Sequence, residues 1–136
     1  MDWLLTAIKS KFTGSQLATD VGNRLYLDRA PGKPVFPYVV FFLVSSPIDR
    51  TFTEEFRTTT VQFSLFSSSQ PATEITSMYN HLSALFEKTI LTLTGNTNIE
   101  SKEVGFDTMM EDIDTTEGIQ GVRHWAVDFE FWTSRN

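Results

Sequence analysis

The stretch EDIDTTEGIQG, Glu111–Gly121, places Glu111, Asp112, Asp114 and Glu117 within seven residues and follows them with two glycines. Acids this dense can ligate calcium, share a proton as a catalytic pair, or simply solvate a turn. A calcium loop requires D-x-[DN]-x-[DN]-G with a bidentate Glu at position twelve. Asp112 and Asp114 suit positions one and three. Thr116 is a weak ligand at five, Glu117 replaces the glycine at six, and Arg123 stands where the final Glu should be. The template fails where the ion is held, so a solvated hairpin tip is the better reading.

No other constellation points to catalysis or a metal. Asp128 and Glu130 alternate with apolar residues along a strand pattern, so they share its outer face instead of converging in a cleft. His81 and His124 fall one per element, with no H-x-x-x-H and no cysteine, which leaves no zinc pattern. Neither G-x-S-x-G, G-x-G-x-x-G nor a Walker sequence occurs. A second charged turn, DRTFTEE, carries Glu54 and Glu55.

The chain that must position these groups has 136 residues, 40% of them hydrophobic, with twelve phenylalanines. That length predicts one domain, residues 1–136, that buries about two thirds of its unfolded surface. The absence of cysteine excludes disulfides and thiolate metal sites and suits a reducing compartment. MDWLLTAIKSKF does not read as a secretory signal, because its lysines follow the apolar residues. The longest apolar run, Val35–Val44, is about half of what a membrane helix needs. A net charge of −6 without a basic patch argues against sequence-specific nucleic-acid binding.

Periodicity supplies the elements. Trp3, Leu4, Ala7, Ile8 and Phe12 form one helical stripe, with Asp2 at the favourable end of the dipole and Gly14 beyond the last turn. SQLATDVGN is ambiguous, with a short helical turn before Gly22. RLYLDR, Arg24–Arg29, reads as a short strand and APGKPVFP as a loop. Tyr38–Ser46 is a strand apolar on both faces. PIDRTFTEEF is a turn region. Arg57–Ser67 alternates, with Val61, Phe63 and Leu65 on one face, and should pair antiparallel with the preceding strand. A serine or Gln70 caps the next helix, Pro71 suits its first turn, and Ile75, Met78, Tyr79, Leu82, Leu85, Phe86 and Thr89 form its stripe, which TGNTN ends. Two strands close the chain. Val104, Phe106, Thr108 and Met110 share a face of the first. Trp125, Val127, Phe129 and Phe131 share a face of the second, and the acidic stretch connects the two. The order α-β-β-β-α-β-β predicts an α+β fold: a mainly antiparallel sheet of about five strands with two helices on one face.

One feature exceeds the needs of such a monomer. Tyr38, Val40 and Phe42 lie opposite the face that the helices should cover, and Phe66 and Trp132 also point that way. Loose alternation in a central strand accounts for this. So does a second face buried against another subunit.

Taken in order, GNRLYLDRAPGKPVFPYVVFFLVSS, RTTTVQFSLFSSSQPATEI and VRHWAVDFEFW resemble the tail terminator, or tail completion, proteins of long-tailed bacteriophages. The resemblance spans nearly the whole chain and rests on element order and residue character, not on a catalytic signature. It implies a non-enzymatic structural protein without cofactor. Such proteins form a homo-oligomeric ring, usually a hexamer, that caps the tail tube protein and meets a head completion or connector protein. The virion's tail or neck would be its location and the host cytoplasm its place of assembly. The charged turns, with Glu54, Glu55, Glu111, Asp112, Asp114 and Glu117, would then reach the lumen or the neighbouring ring. Another neck component, or a small α+β ligand-binding or enzymatic domain, is the alternative.

Overall fold

The structure, a computed structural model, describes residues 1–115 and 118–136, and of Asp114, Thr115 and Gln120 the backbone alone. The elements in chain order are α1 (Asp2–Phe12), α2 (Gln16–Asp20), β1 (Leu25–Leu27), β2 (Tyr38–Ser45), β3 (Ile48–Arg50), β4 (Glu55–Ser67), α3 (Thr73–Phe86), β5 (Asn96–Thr115) and β6 (Gly118–Arg135). The strands form a six-stranded sheet ordered β1-β2-β4-β6-β5, with β3 paired to β4 off that path. Every pairing is antiparallel except β1 with β2. The α+β architecture is as expected, with an additional helix and an additional strand.

One face of this sheet carries the core. Leu4, Ile8 and Phe12 of α1, Leu17 of α2, and Ile75, Met78, Leu82 and Phe86 of α3 pack on Val39, Phe41, Val61, Phe63, Leu65, Val127, Phe129 and Phe131. Phe63 lies at its centre, with ring centroids 5.0 Å from Phe86, 5.7 Å from Phe129 and 5.9 Å from Phe41. Each such side chain contributes roughly 1.5–3 kcal/mol by leaving water. The stripes read from α1 and α3 are therefore the contacts that hold the helices down.

Several boundaries differ from the periodic reading. The ambiguous SQLATDVGN stretch is a helix because Ser15 caps it, its Oγ accepting from Ala18 N–H at 3.1 Å. The turn region after β2 contains β3, since Ile48–Arg50 finds Glu55–Arg57 opposite. Helix α3 begins at Thr73 with Ala72 as an N-cap that makes no side-chain bond, and Ser67 Oγ instead donates to Glu74 Oε1 at 2.6 Å. It stops at Phe86, short of Thr89. There Lys88 turns to φ 56° and its N–H donates to Ser101 O at 2.7 Å, so β5 captures the chain. The acidic stretch is not a free connection either. The β5–β6 ladder runs on to Thr115↔Gly118.

The expected apolar face of β5 is the largest departure. Val104, Phe106 and Met110 are 47%, 41% and 64% exposed, whereas Asn98 and Ser101 of the same strand are buried. β5 is the sheet edge, which α3 reaches only through Tyr79 and the C-cap Glu87, and two register shifts, at Asn98/Glu100 and Glu103/Gly105, interrupt its alternation. Of these three apolar residues Phe106 reaches inward, edge-on to Tyr79 and Trp125.

Asn98 satisfies the backbone at the first shift. Its Oδ1 accepts from Leu91 N–H at 2.8 Å and Ser101 Oγ at 3.0 Å, and its Nδ2 donates to Glu100 O and Trp132 O, both at 3.1 Å. Truncation would leave buried polar groups without partners. Asn98→Ala should lower unfolding free energy by about 2–3 kcal/mol, read from the urea midpoint. A loss below about 0.5 kcal/mol would show that the shift does not need this side chain.

Candidate assembly surfaces

Among the described residues no helix covers the sheet face opposite the helices, and the two ends of that face differ. At one end a row of rings crosses the strands. Tyr26 of β1 lies 6.0 Å from Tyr38 of β2, Tyr38 stacks at 4.6 Å on Phe66 of β4, and Phe66 stacks at 4.3 Å on His124 of β6. Phe36, from the loop before β2, adds a ring 5.2 Å from Tyr38. Glu111 of β5 ends the row, with Oε1 3.1 Å from His124 Nδ1 but without hydrogen-bond alignment, and neither ring nitrogen of His124 has a hydrogen-bond partner among the described residues.

This row shelters its small neighbours. Val40, Ser64 and Ala126, aligned across β2, β4 and β6, are each less than 8% exposed. Tyr38 is 3% exposed. Two of the residues proposed from sequence to face a partner, Tyr38 and Val40, are thus already covered within the subunit. Phe42 and Phe66 are half-buried, and Trp132 is 41% exposed. Trp132 stands apart at the other end, 5.9 Å from Phe56.

Between the two ends the face is polar. Gln62 Nε2 donates to Asp128 Oδ1 at 3.0 Å, and Asp128 lies over Gly105, where a Cβ would come within 3.1 Å of its Oδ2. Asp128 is engaged by this neighbour, and Glu130 lies beside Lys102, Glu100 and Thr58 along a shallow depression of about 230 Å³. Among the described residues no group of three or more histidines or acids could hold a metal ion.

The charged turns occupy opposite ends of the sheet. Beyond Ser67↔Arg123, the last pair of β4 with β6, strands β5 and β6 continue for five more pairs as a two-stranded arm, about 16 Å long. Glu111 and Asp112 sit on this arm beside the exposed Met110 and Ile119. The Asp114 side chain and Glu117 lie outside the described residues. At the far end, Glu55 is no free acid: Arg50, Arg57 and Arg135 approach it at 3.5, 3.9 and 3.9 Å. Glu54 is the exposed acid of that turn, next to Phe52, whose ring is entirely in water. Sequence reasoning passed over Phe52 and the arginines. The available signal was a phenylalanine between two threonines inside a charged turn.

Two tyrosines give the subunit a defined alkaline response. Burial, then Glu111, then Tyr26 push the Tyr38 hydroxyl up to about 12. Tyr79 is also pushed up to about 12, first by donating to Glu103 Oε1 at 2.7 Å, then by burial and the charges of Glu103 and Glu87. The folded chain therefore keeps protons that the unfolded chain releases near pH 10. The stability this brings is complete below pH 10 and is lost as pH rises toward 12. Thermal unfolding across that window should show the decline, and Tyr38→Phe, which keeps the ring, should make it shallower. An unchanged slope would mean that Tyr38 ionises freely.

A family profile described as tail completion protein gp17 matches residues 6–134. No curated protein matches the chain. Among solved structures, a chain of the "Virion of native gene transfer agent (GTA) particle" is similar, with a TM-score of 0.68 and 13% identity over 94% of this chain and 91% of that one. At that identity the likeness is one of fold, and it is the same helix-backed sheet. The profile runs from within α1 to within β6 and takes in every element between them, so the chain belongs to the tail completion protein gp17 family of phage tail structural proteins.

Proposed function

We propose that the chain assembles into a homo-oligomeric ring, six-fold in the reading its resemblance suggests, that ends the tail tube and joins tail to head. Its partners are then the tube protein on one side and a head completion or connector protein on the other. Its place is the tail or neck of the virion, after assembly in the host cytoplasm. The observation that carries this reading is the build of the subunit. One rigid sheet presents two different hairpin ends, and surfaces that differ from one another generate head-to-tail contacts, which close when the rotation allows. Family membership and the fold shared with a gene transfer agent virion chain support it.

The chemistry around a DNA channel agrees. With a net charge of −6, the protein repels phosphate and lets a genome slide. The arm acids Glu111 and Asp112, with Asp114 and Glu117 in the same segment, are proposed to face the lumen or the adjoining ring. Phe42, Phe66 and Trp132 remain proposed subunit contacts, with Tyr38 and Val40 supporting them from beneath. The protein's work is structural and needs no cofactor or catalyst.

Adding the purified protein to polymerising tail tubes tests the reading under negative stain. Capped ends, fixed lengths and a central hole at the cap are expected. Continued elongation with no bound protein overturns the terminator role, and binding only to filled heads transfers the protein to another part of the neck. Replacing Glu111, Asp112, Asp114 and Glu117 together by their amides should leave the melting temperature nearly unchanged and impair assembly. Normal infection by that variant would remove the lumen or docking role of the arm.

A further inference from the structure

The turn that joins β3 to β4 holds its aromatic in water by construction. Phe52 is fully exposed, yet the turn beneath it is closed by hydrogen bonds. Thr51 N–H donates to Glu54 O at 2.9 Å, and Glu54 N–H donates to Thr51 Oγ1 at 3.0 Å. Behind it, Arg50 and Glu55 pair across the hairpin, and Arg57 and Arg135 hold Glu55 from the other side. Scattered exposed apolar residues are ordinary. An aromatic on a pre-organised tip is different, because it can enter a partner with little further ordering. Aromatic anchors of this kind dominate binding energy where they are buried.

The opposite end of the same sheet carries a matching depression of about 400 Å³, lined by Lys9, Phe12, Thr13, Asn23 and Leu25. Phe12 is buried and Leu25 half-buried, which gives an apolar floor, while Lys9, Thr13 and Asn23 are exposed at the rim. Leu25 pairs with Val39, and Val39 with Leu65, ten residues along β4 from Glu55. Tip and depression are therefore separated by about 33 Å or more of strand and cannot meet within one chain. Glu54 beside Phe52 and Lys9 at the rim are exposed and opposite in charge, while Arg50 and Arg135 of the tip are engaged by Glu55.

We infer that Phe52 of one subunit inserts between α1 and β1 of the next, with Glu54 facing Lys9. The inference rests on the ring reading and supplies the head-to-tail contact that a ring requires. The two surfaces differ, so each subunit donates one tip and receives another, and the geometry closes or runs on according to its rotation.

The test uses the full chain at rising concentration and on tail tubes. Phe52→Ser should leave the melting temperature unchanged and weaken self-association about 30-fold. Glu54→Lys should weaken it as well, and Lys9→Glu in the same chain should restore it. Because the protein has no cysteine, Phe52→Cys combined with Thr13→Cys gives a direct geometric check. Oxidation should produce a ladder of linked subunits, and either single variant should not. Rings that form normally with Phe52→Ser, or rings that yield no ladder, overturn this contact and leave the ring reading standing. A wild-type chain that stays monomeric even on tail tubes overturns both.

Discussion

Strands β4 and β6 pair without interruption from Phe56↔Ser134 to Ser67↔Arg123, and the rest of the subunit depends on that ladder. It aligns Val61, Phe63 and Leu65 with Phe129, Val127 and Trp125 on one face, the floor of the buried cluster to which all three helices contribute. An antiparallel pair cannot slip by one residue without turning every side chain to the other face. The register therefore fixes both the core and the identity of the uncovered face at once. β2 extends the sheet from β4 and β5 from β6, and each inherits its orientation from the central pair.

That inheritance shapes the function. A sheet with helices on one face leaves the other open, and this subunit treats the open face unevenly. At one end the ring row from Tyr26 to His124 covers its own small residues. At the other, Trp132 remains accessible. The long strands then overshoot the core in both directions: β5 and β6 at the acidic arm, β3 and β4 at the Phe52 turn. A small enzyme concentrates polar groups in a cleft. Here the distinctive groups among the described residues lie at the extremities, which suits the assembly role proposed for the chain.

Much of this was legible in periodicity. The stripe of α3 and the alternation of β4 and β6 name the core because burial selects for the same spacing that the pattern displays. β5 was not legible in the same way. Val104, Phe106 and Met110 alternate as a core strand should, but position at the sheet edge and two register shifts leave them exposed. The end of α3 was equally hidden, since Leu85 to Thr89 continues the helical spacing while Ser101 of β5 takes the Lys88 N–H. The open-face residues were recognised as a group. Which of them are spent inside the subunit depended on Phe36 and Tyr26, brought in from elements that the pattern does not connect.

Sequence by itself determined the α+β class, the antiparallel pairing of β2 with β4, the helical core stripes and the mismatch of EDIDTTEGIQG to the calcium-loop template. These follow from local spacing and residue chemistry. Tertiary structure alone decided that Glu55 is enclosed by three arginines while Glu54 and Phe52 stand free. It also decided that much of the acidic stretch extends a strand ladder instead of forming a loose connection. The reason is the same in each case. A carboxylate's partners, and the strand that lies opposite a given residue, come from distant parts of the chain, and only the folded sheet brings them within reach.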